Sequence, residues 1–341
     1  MNSPNVSRLI AKILTASWRE LPPPLEVSDH DFRSATPWLL QSGAGALGWR
    51  RAAASSLATS ASGGELQQAY RLHTLQALGH KRDITKVLTL LRENGIESIL
   101  VKGWNVARLY PEPGLRPYGD IDLCVHPDDF ARTKALLVGT EGLAYGVDLH
   151  RGFLTFDDES WGELYSRSVL LEIAGVEVRV LSPEDHLRLI CFHFLREGAW
   201  RPLWLCDIAV AIETRPPNFD WDLCLSEDGR SRQWSACAIL LAHHLLEASL
   251  EGVPSQVTSK QLPRWFVPAV LREWTAPSMP QRHRTPMRSF ASGSVKTFKG
   301  LRAHWPNPIE GTIGVRGPFN EMPRFPFQIG QCFLRAVKYF G

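Results

Sequence analysis

Asp120 and Asp122 stand two residues apart in the run Tyr118-Gly-Asp-Ile-Asp-Leu-Cys-Val125. A strand sends alternate side chains to one face, so the two carboxylates point one way while Ile121 and Leu123 point into a core. Neighbouring carboxylates repel each other unless a cation lies between them. A pair of oxygen ligands suits Mg²⁺, which commonly takes one or two protein carboxylates and fills its shell with water and substrate phosphates. The chemistry that such a pair supports is metal-assisted phosphoryl or nucleotidyl transfer.

The residues upstream are of types that hold phosphate. Ile99 to Val101 reads as a short buried strand, and Lys102-Gly103 follows where that strand would hand over to a helix. Gly103 has no Cβ, which lets a phosphate approach the backbone, and the amides of the new helix would face it. Lys102 adds a point charge. Tyr110-Pro-Glu-Pro-Gly-Leu-Arg-Pro-Tyr118 is too rich in Pro and Gly for regular structure. Within it Arg116, four residues before Asp120, offers a planar fork that suits two phosphate oxygens; its structural alternative is an ion pair with Glu112.

Lys102-Gly103, Arg116 and Asp120-Ile-Asp122 together resemble the signature of the DNA polymerase beta-like nucleotidyltransferase superfamily, and more closely its bacterial branch of largely uncharacterised nucleotidyltransferases. The resemblance continues through Tyr145-Gly-Val-Asp-Leu-His150, Leu181-Ser-Pro-Glu-Asp-His-Leu-Arg-Leu-Ile-Cys-Phe-His193 and Trp204-Leu-Cys-Asp207, covering residues 85 to 215. It implies that Asp120 and Asp122 hold metal ions. It also implies a third carboxylate on a neighbouring strand that completes the site and activates the acceptor hydroxyl. Asp148, between Val147 and Leu149, has the apolar-acid-apolar pattern of such a strand, with His150 on the same face, where it would brace a carboxylate or touch substrate. Glu172 in Leu171-Glu-Ile173 and Glu177 in Val176-Glu-Val178 share that pattern and stay open as alternatives. The sequence departs from the superfamily at Trp104, where a Gly or Ser usually follows the motif glycine. A bulky indole there would alter or block nucleotide binding.

The activity implied is transfer of a nucleoside monophosphate from a nucleoside triphosphate to an acceptor hydroxyl or phosphate, with release of pyrophosphate. Mg²⁺ would be the cofactor, with Mn²⁺ as a substitute. Lys102, Gly103, Arg116 and His150 would bind substrate, and Asp120, Asp122 and Asp148 would be both catalytic and metal-ligating. The acceptor is open among a small molecule, a peptide or protein, and RNA. Two rival readings stand beside this one. The basic run Arg282, His283, Arg284, Arg288, Lys296, Lys299, Arg302 and His304, interleaved with Phe290, Phe298 and Trp305, suits a toxin-like enzyme acting on transfer RNA. Trp104 suits a non-catalytic nucleotide-binding scaffold.

The elements that position these residues follow from periodicity. Residues 1–82 read as an N-terminal helical region, broken at Leu21-Pro-Pro-Pro-Leu25 and in the Ala/Ser/Gly-rich stretch 52–64. A longer helix starts at Glu65, and Ile84, Val87, Leu88 and Leu91 mark a second helical stripe that Asn94-Gly95 ends. Residues 83–182 form the core expected of the nucleotidyltransferase, an α/β (α+β) unit with a small mixed sheet flanked by helices. A helix from His126-Pro127 to Leu137 is followed by strands near 144–149, 152–156, 168–173 and 176–181. Ser182-Pro-Glu-Asp185 is a helix start, with an N-cap Ser, Pro in the first turn and acids behind it. It opens a helical domain over 183–250, with helices near 183–197, 201–213 and 231–250. Residues 251–341 read as a C-terminal subdomain, partly irregular, closing in an amphipathic helix. Asp207, in the apolar run Leu205-Cys-Asp-Ile-Ala209, needs a partner because an unpaired buried carboxylate is costly; Trp200, Arg201 and His193 are the candidates, with an acceptor pocket as the functional alternative.

The chain of 341 residues is long enough for two or three cores. Its net charge of +3 is too small to argue nucleic-acid binding from the global field. The six cysteines lack Cys-x-x-Cys spacing and read as reduced thiols of a cytoplasmic protein rather than a zinc site or disulfide frame. No signal peptide and no apolar run of spanning length is evident, so no membrane partner is expected.

Overall fold

Apolar side chains at 121, 123 and 125, alternating with Asp122 and Cys124, make the strand on which the site stands, and all five residues are buried. In the computed structural model, which describes residues 3–139, 146–152, 160–225, 229–276 and 305–340, this strand lies inside a five-stranded mixed sheet. β1 is Ser98–Leu100, β2 Ile121–Val125, β3 Val147–Arg151, β4 Val169–Ile173 and β5 Val176–Val180, in spatial order β3-β2-β1-β5-β4. β2 runs antiparallel to β1, with Ile99 opposite Cys124, and parallel to β3, with Asp122 opposite Asp148. β5 joins β1 in parallel and forms a hairpin with β4. The expected α+β core with a small mixed sheet is what the chain forms.

Alternation along β2 separates a core face from a working face. Ile121, Leu123 and Val125 pack into a cluster that includes Ile84, Val87, Leu88 and Leu91. Cys124, on the opposite face, packs with Ile99, Val101, Leu164, Leu181 and Leu189. Asp122 shares that second face and is buried.

The helices ahead of the sheet are α1 Ser3–Leu14, α2 Asp29–Gln41, α3 Gly45–Ala52 and α4 Ala61–Glu93. α4 is one helix of 33 residues, where the sequence pattern shows two stripes. The two stripes serve different cores: Leu66 packs among the helices and the four residues from Ile84 to Leu91 pack under the sheet. The helix is therefore continuous across residues 82 and 83, where the sequence suggests a boundary. Within the sheet unit lie the four-residue α5 Trp104–Ala107, α6 Phe130–Gly139 and α7 Trp161–Arg167.

The remaining helices are α8 Pro183–Arg196, α9 Pro202–Glu213, α10 Trp221–Leu225, α11 Gly229–Leu246, α12 Ser255–Thr258, α13 Phe266–Trp274, α14 Pro308–Gly314 and α15 Phe325–Phe340. The Ser182 hydroxyl caps α8 by accepting from the Asp185 amide at 3.2 Å, and Pro183 occupies the first turn, as the sequence indicates. α8, α9 and α11 bury their apolar faces in the largest cluster, together with α1, α2, α3 and α13. No helix among the described residues is long and apolar enough to cross a membrane. The expected strand at 152–156 falls outside the described residues from 153 onward, as does all of the basic run from 282 to 304. Cys124, Cys191, Cys206, Cys224 and Cys237 are buried free thiols and Cys332 is a half-buried one.

His186, on α8, is buried, and its Nε2 has no hydrogen-bond partner among the described residues. Burial, aided by the charges of Arg108 and Arg116, lowers its pKa to about 3. In the unfolded chain the imidazole titrates near about 6.5, so the unfolded state takes up the proton first as pH falls. The neutral imidazole thus contributes stability that is complete above about pH 6.5 and is lost toward pH 3, by up to about 1.4 kcal/mol per pH unit. Guanidinium unfolding midpoints from pH 7.5 to 4 should fall less steeply for His186→Gln than for the wild type, and identical slopes would remove His186 from this account.

Candidate active site

Three strands and one loop build the site. β1 ends at Leu100, and the chain passes through Val101 and Lys102 to Gly103, whose φ of 56° lies in a region that side chains disfavour. A Cβ at Gly103 would come within 3.2 Å of the Asp120 carbonyl oxygen. The glycine therefore lets the β1 exit press against the start of β2. Trp104, directly after it, is buried in the sheet-side cluster beside Leu88 and Tyr118 and is not among the residues lining the adjoining cleft. The indole that departs from the superfamily pattern is turned into the core.

The register between β2 and β3 sets Asp122 beside Asp148, with His150 two residues further along. His150 Nε2 lies 3.3 Å from Asp148 Oδ2 and 3.5 Å from Asp122 Oδ1. Lys102 Nζ lies 2.7 Å from the same Asp122 oxygen. Burial pushes the Asp122 carboxyl upward, but the bond with His150 and the Lys102 ammonium outweigh it and hold Asp122 below the ordinary carboxylate range. Asp120, one residue ahead of β2, is shifted the other way. Partial enclosure and the charges of Asp122 and Asp148 raise it, with Lys102 opposing.

Ligand atoms of Asp122, Asp148 and His150 lie within 4.8 Å of one another. Two carboxylates and an imidazole form a donor set that fits a divalent cation, and Lys102 already supplies one positive charge to the carboxylate they share. Asp120 is not part of this cluster, although it and Asp122 both line the cleft. Glu172 and Glu177 face each other across the β4–β5 hairpin and are exposed. β1 stands between that hairpin and β2, so neither glutamate reaches the Asp122 strand as a neighbour.

The cleft beside Asp120 and Asp122 has a volume of about 430 Å³. One wall is the sheet unit, with Lys102, Gly103 and Tyr118; the others come from α4, through His73 and Gln76, and from α8 and α9. Arg116 lines it too, but its fork is committed. Nη2 and Nε of Arg116 donate to Asp207 Oδ2 at 2.9 and 3.2 Å, and Nη1 donates to the Pro117 carbonyl. Tyr110 donates its hydroxyl to Asp207 Oδ1 at 2.8 Å. The partners that Asp207 needs are thus Arg116 and Tyr110, in place of Trp200, Arg201 or His193. Glu112, the structural partner suggested for Arg116, instead pairs with Arg50 and accepts from the Tyr70 hydroxyl. His193 packs edge-on to Trp204 at 4.5 Å, and burial, with the nearby Lys102 charge, lowers its pKa to about 3. His73, Gln76 and Arg201 reach the site from outside every motif read above. His73 and Gln76, three apart on a helix, share one face; nothing in their spacing tells which element that face meets.

A family described as uncharacterised nucleotidyltransferase matches residues 43–146 and 140–247, more than half of the chain. The chain belongs to this family, and the matched span holds every group that lines the cleft from Gly43 onward. Neither the curated proteins nor the solved structures hold a match to it.

The Arg116–Asp207 pair is buried on both sides. Breaking such a pair strands a charge, whereas replacing both partners by apolar groups removes the problem. Arg116→Met and Asp207→Leu should each lower unfolding stability by about 3–5 kcal/mol, while the two together recover much of the loss. A double-mutant cycle by urea denaturation measures this, and additive single effects would show that the pair is not coupled.

Proposed function

We propose that the chain is a metal-dependent nucleotidyltransferase with a polymerase beta-like core, moving a nucleoside monophosphate from a nucleoside triphosphate to an acceptor hydroxyl or phosphate. The observation that carries this reading is the register that sets Asp148 beside Asp122, next to Lys102 and Asp120, in a member of a nucleotidyltransferase family. Asp122 and Asp148, whose ligand atoms cluster with that of His150, would hold Mg²⁺, or Mn²⁺ in its place, with Asp120 joining them from the adjoining cleft, and the bound cation would offset charge on the transferred phosphoryl group.

The chain's own residues have separable roles in this reading. Asp148, more exposed than Asp122, accepts the proton of the acceptor oxygen. That oxygen bonds to the α-phosphorus as the link to the β-phosphate breaks, and the electron pair leaves with pyrophosphate. His150, within 3.5 Å of both Asp122 and Asp148, holds the two carboxylates in place. Lys102 keeps Asp122 ionised and presents its charge to the incoming phosphates. Gly103 lines the cleft and lets the β1 exit sit against Asp120, while Trp104 packs away from the cleft. Arg116, held by Asp207, anchors the loop that delivers Asp120 and adds its charge to the cleft wall. The burial of Trp104 in the sheet-side cluster supports this reading over a non-catalytic scaffold.

Pyrophosphate release with each of the four ribonucleoside triphosphates and Mg²⁺, with and without cell extract as acceptor source, tests this. Asp120→Asn, Asp122→Asn and Asp148→Asn should each reduce turnover by at least about a hundredfold, the scale lost with a preorganised electrostatic group, while Glu172→Gln with Glu177→Gln stays near wild type. Turnover that survives loss of Asp122 and Asp148 would sink the assignment.

A further inference from the structure

The charges lining the cleft pair off unevenly. Lys102 is matched by Asp122 and Arg116 by Asp207. Asp120 is left for the metal under the proposed function, on which this step of the argument rests. Arg201, at the start of α9, remains. Its Nε donates to the Ser42 carbonyl at 2.6 Å and its guanidinium lies 5.5 Å from the Trp204 ring centroid. Among the described residues no carboxylate lies within ion-pair distance of it. Burial and the neighbouring Arg116 charge lower its pKa to about 10, with the more distant Asp207 and Asp120 charges opposing, which leaves it protonated at neutral pH. A largely enclosed cation with no carboxylate in direct contact is costly, and a ligand anion would lower that cost.

The surroundings are shaped around this side chain. Gly43 has φ 75°, and a Cβ there would sit 2.4 Å from Arg201 Nη2, so the guanidinium occupies space that any other residue at position 43 would take. Two residues that line the cleft, His73 and Tyr118, each carry a buried polar atom without a partner among the described residues, Nδ1 and the hydroxyl. Burial and Arg201 lower the pKa of His73.

We infer that Arg201 forms an oxyanion subsite in the cleft that takes a phosphate or carboxylate of a substrate. A planar guanidinium is the group that engages two oxygens of such an anion at once, and the Nε bond to Ser42 leaves both terminal nitrogens free to do so. The anion belongs either to the triphosphate of the donor or to an acidic acceptor.

Calorimetric titration separates these outcomes. Inorganic phosphate, without metal or nucleotide, and MgATP are each titrated into wild type, Arg201→Gln, Arg201→Lys and Gly43→Ala, with thermal melts confirming that each variant folds. Phosphate should bind the wild type and weaken by about tenfold or more in Arg201→Gln, the scale of one charge-assisted hydrogen bond. Arg201→Lys should fall between the two. Gly43→Ala, which keeps the charge but displaces the guanidinium, should also weaken binding and gives the answer if Arg201→Gln fails to fold. A matching loss for MgATP assigns the anion to the donor, and unchanged MgATP affinity assigns it to the acceptor. Equal phosphate binding in wild type and variants, or none by the wild type at millimolar concentration, overturns the subsite. Phosphate binding through Arg201 in a protein that releases no pyrophosphate from any triphosphate would instead count against the transferase reading and leave the subsite standing.

Discussion

Asp122 is an ionised carboxylate in a buried position, set by strand register beside a second carboxylate. Electrostatics alone would drive a proton onto one of the two. The fold opposes this with Lys102 from the exit of β1 and His150 from β3, both reaching the same oxygen. The two come from the strands on either side of β2, so the arrangement exists only when all three strands are assembled. The cost of bringing two acids together is thereby spread over the whole sheet edge, and a site built this way is ready for a cation before one arrives.

The second buried charge pair has a different task. Arg116 lies in the loop leading to Asp120, and Asp207 lies on α9 in the helical half. Their bidentate contact, closed by Tyr110, joins the sheet unit to the helices across the cleft floor. The Pro- and Gly-rich loop is also tied to the N-terminal helices, through Glu112 to Arg50 and Tyr70 and through Thr74 to the Pro113 carbonyl. A segment without regular structure is thus held at both ends and in its middle.

Local pattern made the sheet strands and the α8 cap legible, because alternation and capping depend on residues within a few positions. It also placed Asp120 and Asp122 on the face opposite Ile121 and Leu123. Asp148 was readable as a strand acid; its preference over Glu172 and Glu177 was not, since strand order is a long-range property. Arg116 and Asp207 were each singled out with the wrong partner, because the two residues that satisfy each other lie 91 positions apart. The direction of Trp104 was hidden for a related reason: a helix of four residues has no repeating stripe to show which side is buried. His73 and Gln76 carried no chemical signature and became part of the site only through the placement of α4.

That helix can be described in mechanical terms. At 33 residues α4 is about 50 Å long, embedded in the helical core near Leu66 and in the sheet-side core from Ile84 to Leu91. Leu72, Leu75 and Leu78, between these supports, are exposed. The segment that carries His73 and Gln76 into the cleft is therefore a beam clamped at both ends and open to solvent along one side at midspan. A beam supported in this way deflects most at its centre, where Tyr70 and Thr74 touch the loop that leads to Asp120. Cleft width and the position of Asp120 then share one elastic element, so filling the cleft and shifting Asp120 are a single displacement.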